Sequence, residues 1–67
     1  MYKRPLQYYG LRYGKQYTWG QLQDIVRSRK ELLLGFMDEA GEFKDAKRSA
    51  IVDLKEGDVL VALGKEA

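Results

Sequence analysis

The sequence predicts an α+β fold, one helix packed on a small, mainly antiparallel β-sheet of about four to five short strands. Three observations carry that expectation. Only residues 18–29 combine a helix cap signal with apolar residues at helical spacing. Residues 32–37 and 59–63 are apolar runs too short for helices and bounded by glycine or charged corners. The intervening residues 38–41 and 55–58 hold the glycines and carboxylates that tight turns use.

Taken in order, residues 1–17 form an aromatic, basic segment that Pro5, Gly10 and Gly14 interrupt. Leu6 and Tyr8, then Leu11 and Tyr13, alternate as one or two short strands would, with a turn at Gly10. Tyr8, Tyr9, Tyr13 and Tyr17 interleave with Arg12 and Lys15, a pattern suited to stacking single-stranded bases beside cations. The same tyrosines suit a second role, covering a small core while their hydroxyls stay wet. A tag or linker origin for part of this stretch also fits.

Residues 18–64 form the expected compact domain. Thr18-Trp19-Gly20-Gln21 matches the capping box, in which a cap hydroxyl and an amide three residues on satisfy each other's backbone N–H groups. Leu22, Ile25 and Val26 continue at helical spacing, which predicts a helix over residues 19–29. Arg27, Arg29 and Lys30 fall at its C-terminal end, where positive charge complements the helix dipole or meets an anionic partner.

Residues 31–37 read as a central strand buried on both faces, with Gly35 marking a bulge or a close approach. A turn at 38–41 and a short return strand at 42–44 follow. The carboxylates Asp38, Glu39, Glu42 and Asp45 lack calcium-loop spacing and suit a solvated turn. Lys47 and Arg48, in a polar loop, either meet a phosphate with backbone donors or simply face water. Residues 50–52 and 59–63 complete the sheet across a corner at Gly57, where Asp58 accepts backbone N–H groups and Leu54 folds onto the core. Residues 65–67 read as a polar tail.

Composition narrows the chemistry. The 67 residues include no cysteine and no histidine, so neither a disulfide nor a zinc site is expected, and no cofactor is implied. A domain of this size buries only about 60% of its unfolded surface, which makes a homodimer the expected route to a larger core. No apolar stretch approaches the roughly 18 residues of a membrane span and no signal peptide is apparent, so a cytoplasmic location is expected. Net charge is +2, but residues 1–23 carry +4 and residues 24–67 carry −2. All five tyrosines and Trp19 lie in that basic part.

The order of helix, strand, hairpin, loop and Gly-Asp strand resembles the TrkA-C or RCK C-terminal regulatory module of potassium channels and transporters. The related segment of CASTOR-type ion channels is similar too. The residues that carry the likeness are Leu22 to Val26, Leu33-Leu34-Gly35-Phe36, Gly41, and the run from Leu54 through Gly57-Asp58 to Val61. The resemblance spans about residues 17–64. It implies a non-catalytic sensor that dimerises, within a channel or transport subunit, and it supplies no catalytic residue. In some members cyclic dinucleotides or metal ions bind at the dimer interface, through positions that vary.

Two functions therefore stand side by side. One is a regulatory, ligand-sensing domain in which a small anionic ligand shifts the populations of two dimer arrangements, with Arg27, Lys47 and Arg48 as its first contacts. The alternative is a nucleic-acid-binding module with Lys3, Arg4, Arg12 and Lys15 on phosphates and Tyr8, Tyr9, Tyr13 or Trp19 under bases. A protein-interaction domain is the further option. An enzyme is not expected, because Ser49 and Thr18 have no visible base partner and no phosphate-cradling glycine loop follows a strand.

Overall fold

The helix forms where its cap signal lies. In the computed structural model, which describes residues 1–64, Tyr2–Arg4 (β1) leads through a 3₁₀ turn at Leu6–Tyr9 to Tyr17–Thr18 (β2) and the helix Trp19–Ser28 (α1). Glu31–Met37 (β3), Phe43–Lys44 (β4), Ile51–Val52 (β5) and Val59–Gly64 (β6) follow. The capping box is complete: the Gln21 N–H donates to Thr18 Oγ1 at 3.1 Å, and the Thr18 N–H donates to Gln21 Oε1 at 2.9 Å. The predicted tail, residues 65–67, lies outside the described residues.

The architecture is α+β. Four antiparallel strands in the order β1-β6-β3-β4 make one sheet, and α1 packs on one of its faces. Leu22 and Val26 of α1 are fully buried against Leu33, Leu60 and Ala62 of the sheet, and the Trp19 ring centroid lies 5.8 Å from that of Phe36. Burial of each such side chain stabilises the fold by about 1.5–3 kcal/mol.

Three expectations change. Residues 6–13 form no strands, because Leu6 and Tyr9 turn inward together at the three-residue spacing of a 3₁₀ turn. Gly10, at φ +75°, then ends that turn in the left-handed region. Second, β5 does not join the main sheet but pairs with β2 as a separate ribbon, Tyr17 opposite Val52. The helix start dictates this. Its exposed N–H groups need acceptors, and Trp19 and Gly20 donate to the carbonyls of Ala50 and Arg48 at 2.8 and 2.9 Å.

Third, β3 is not buried on both faces. Leu33 faces the helix, whereas Leu32 is 51% exposed beside the equally open Leu63 across the ladder. One helix covers one face only. Gly35 is the close approach expected and borders the bulge: the β3–β6 register shifts between Leu33 and Gly35, skipping Leu34, and an added Cβ on Gly35 would lie 2.5 Å from the Lys44 carbonyl and against the Phe43 ring.

The corner before β6 follows the sequence closely. Gly57 takes φ +100°, the Lys55 N–H donates to Asp58 Oδ2 at 2.9 Å, and Leu54 is buried. The N-terminal segment is also part of this body. β1 forms the sheet edge against β6, Leu6, Tyr9 and Leu11 enter the core, and Tyr13 Oη donates to the Asp58 carbonyl at 2.8 Å.

Candidate functional site

The cations named from the sequence divide between two places. Arg27 and Arg48 come together beside the last turns of α1 and the start of β3. Arg48 lies against the helix because Gly20 has no side chain, an added Cβ there falling 3.1 Å from Arg48 Nη2. Arg48 Nη1 donates to Gln23 Oε1 at 2.8 Å, and Nη2 lies 3.4 Å from Asp24 Oδ1. Arg27 is one turn beyond Gln23 on the same helix face. It is exposed and, among the described residues, in no ion pair.

The residue that closes this group is Lys30, at φ +62°, the one non-glycine residue in the left-handed region among the described residues. It turns the chain from α1 into β3 within two residues, its N–H donating to the Arg27 carbonyl at 2.8 Å. Glycine is the usual occupant of such a position, since a Cβ there costs about 1 kcal/mol. A lysine keeps a cation where geometry favours none.

These side chains border two adjoining hollows. One, of about 620 Å³, is lined by Arg27, Lys30, Glu31, Leu32, Leu63 and Gly64. The other, of about 210 Å³, is lined by Gln23, Arg27, Glu31, Leu32, Leu33 and Arg48. Arg27, Glu31 and Leu32 are common to both. The result is a partly apolar groove with three cations on its rim. Its one β-strand carboxylate, Glu31, is occupied elsewhere, with Oε2 2.9 Å from Arg4 Nη1 and Oε1 accepting from Tyr9 Oη at 2.6 Å. Lys47 is not part of the groove. It stays exposed in the turn that follows, its carbonyl accepting from the Ala50 N–H at 3.0 Å.

The second place is the N-terminal segment, where most of the aromatic and basic residues serve the fold. The Arg4 guanidinium sits 4.0 Å from the ring centroids of both Tyr2 and Tyr8 and is ion-paired with Glu31. Tyr9 and Trp19 are 4% and 2% exposed, so neither offers a face for a base. Burial, then the hydrogen bond to Glu31, holds the Tyr9 phenol well above its ordinary pKa. Tyr13 is tied to Asp58, and Tyr17 Oη accepts from the Arg12 N–H at 3.1 Å. Tyr8, Lys3, Arg12 and Lys15 remain at the surface, with Lys15 Nζ 5.9 Å over the Tyr17 ring.

A third hollow, of about 410 Å³, gathers Asp38, Asp45, Asp53 and Asp58 with Lys44 and Lys55. Two of its carboxylates, Asp38 and Asp58, serve turns. Asp38 Oδ1 accepts from the Glu42 N–H at 2.8 Å, and this bond is the first cause of a pKa below the usual aspartate value. Among the described residues no cluster of acidic side chains is placed to hold a metal ion.

Gln23 and the ion-paired Glu31 are the site residues that sequence reading misses, while Lys30 is named there only as part of the basic helix end. A capped helix ending in basic residues signals Arg27, but only the fold shows that Lys30 is left-handed or that Glu31 faces Arg4. Among the described residues no helix is long and apolar enough to cross a membrane. The chain matches no protein-family model, no curated protein and no solved structure.

Proposed function

We propose that this chain is a small, non-catalytic regulatory domain that senses an anionic ligand in the groove at Arg27, Lys30 and Arg48. The supporting observation is the convergence of these three cations on two adjoining, partly apolar hollows whose shared carboxylate, Glu31, is ion-paired with Arg4 and bonded by Tyr9, while of the three cations Arg48 is paired, with Asp24. The three cations are exposed, so their attraction for an anion is screened by solvent and depends on salt. The apolar floor suits a small anion with a planar or hydrocarbon portion. This reading agrees with the resemblance to the C-terminal module of potassium-transport regulators. It places the chain in the cytoplasm as part of a channel or transport subunit.

The proposed domain works as a homodimer. Leu32, Leu63 and Phe43 are each about half exposed on the main sheet, an apolar surface available to a second copy. A ligand that prefers one dimer arrangement then shifts the balance between two.

An amide NMR titration at low salt tests the reading. Nucleotides and cyclic dinucleotides should shift the amides of residues 23–33 and 48, and Arg27→Ala should weaken that response. Shifts confined to residues 2–19 on adding a single-stranded oligonucleotide, weakening with salt, would instead assign the domain to nucleic acid.

A further inference from the structure

The groove runs along an unpaired sheet edge. β3 spans Glu31–Met37, yet β4 pairs only with Phe36 and Met37, while β6 pairs from the other side with every residue of β3 except Leu34. In an antiparallel strand alternate residues aim both N–H and C=O to the same side, so part of residues 31–34 points away from β6. Among the described residues no backbone or side-chain hydrogen bond reaches Leu32, Leu33 or Leu34 from that side. Proteins usually blunt such an edge with a bulge, a proline or inward charges. The β3 bulge falls at Leu34, where the register shifts between Leu33 and Gly35, so it closes the open part at one end; the regular stretch before it reads Glu-Leu-Leu, with no proline and with its one charge held by Arg4.

From this we infer that the open edge of β3 is a strand-addition site for an extended acidic peptide segment of a partner protein. The inference rests on reading the groove as an anion site and extends it from a free anion to a carboxylate side chain carried on a peptide. Main-chain hydrogen bonds to residues 32–34 supply affinity, and alternate side chains supply specificity. The hollow between Arg27 and Arg48 receives the acidic side chain. Residues on the peptide's other face lie beside Leu32.

Charge selects this occupant over a second copy. A twofold pairing of β3 with itself would bring the Arg27 of both copies, which no carboxylate pairs among the described residues, into one joint, because such an interface uses the same patch on each side, while each Arg48 keeps its own Asp24. The copy's only β3 carboxylate, Glu31, is held by Arg4 and Tyr9 and is not free to answer them. An acidic peptide meets the cations without that repulsion.

The test uses the full chain and a fluorescently labelled heptapeptide, Thr-Val-Glu-Val-Thr-Val-Ser, capped at both ends. Parallel arms carry the same peptide N-methylated at alternate residues, a version with lysine for glutamate, and glutarate alone. The expected result is salt-sensitive peptide binding that slows hydrogen exchange in residues 32–34. N-methylation should weaken it at least about tenfold by removing the main-chain bonds. Arg27→Glu should also weaken it about tenfold and restore affinity for the lysine peptide. If glutarate and the N-methylated peptide bind as well as the parent, strand addition is overturned and the anion site stands. If neither glutarate nor any peptide binds, both readings fall. A concentration-dependent dimer that protects the same amides and is not displaced by peptide would assign the edge to a second copy and overturn the peptide.

Discussion

The N-terminal segment and the groove at the end of α1 are built from the same materials, arginines beside aromatic or aliphatic side chains, and put them to opposite uses. In the first, Arg4 lies between two tyrosine rings and is neutralised by Glu31. In the second, Arg27 and Lys30 rim a hollow with no carboxylate answering them among the described residues. Glu31 joins the two. By closing the charge of Arg4 it fastens β1 to the body, and by doing so it leaves the groove positive. A basic, aromatic sequence is thus not evidence of a binding surface until the fate of its counter-charges is known.

The sharpest way to break this contrast is Glu31→Ala. It leaves the Arg4 guanidinium without its partner and the buried Tyr9 hydroxyl without its acceptor, so urea unfolding should report a loss of about 2–4 kcal/mol. Arg27→Ala in the same assay should stay within about 0.5 kcal/mol of the parent, as expected for an exposed side chain that holds nothing in place. Equal losses from the two changes would dissolve the distinction between a fastening arginine and a free one.

Alkaline unfolding probes the same fastening without removing a charge. The folded Tyr9 phenol holds its proton well above the ordinary value of 10.0 because it is buried and bonded to Glu31. The contribution is present in full below pH 10, where the unfolded chain also keeps that proton. It is lost as pH rises further, because only the unfolded chain then ionises. Melting temperature should fall from about pH 10 upward, and Tyr9→Phe should make that fall shallower. An unchanged slope would mean that Tyr9 does not couple folding to its proton.

Tyr13→Phe makes a smaller incision. It deletes the hydroxyl that bonds the Asp58 carbonyl at 2.8 Å and joins the N-terminal segment to the Gly57 corner. The expected loss is about 1 kcal/mol, read as a shift in the urea midpoint. It should leave anion binding at the groove unchanged.

How much of this was legible in the chain depends on the range of the forces involved. The Thr18–Gln21 cap, the Gly41 turn and the Gly57-Asp58 corner are local, each set by residues within four positions, and the sequence announces all three. Pairing partners are not local. The departure of β5 from the main sheet follows from carbonyls of Arg48 and Ala50 meeting the start of α1, a contact across some thirty residues. The site is legible only in part for the same reason. Arg27 and Arg48 are visible as basic residues, but their meeting depends on Gly20 leaving room, and Lys47, adjacent in sequence, faces elsewhere. Tyr9 and Arg4 carry the same composition signal as a stacking surface and are consumed by a distant glutamate.

Lys30 gives the smallest effect and the finest resolution of the contrast, because its backbone and its side chain pull in opposite directions. At φ +62° it occupies a conformation that glycine adopts without strain. Were its role only to end α1, Lys30→Gly should raise stability by about 0.5–1 kcal/mol and change nothing else. With the ammonium serving the groove, the same substitution should raise the urea midpoint and at the same time weaken the binding of a nucleotide or of glutarate several-fold. Lys30→Asn tolerates the left-handed region while removing the charge, and it should lose binding without a comparable gain in stability. A variant that becomes more stable and binds as before would reduce Lys30 to a helix terminator and leave Arg27 and Arg48 to hold the anion between them.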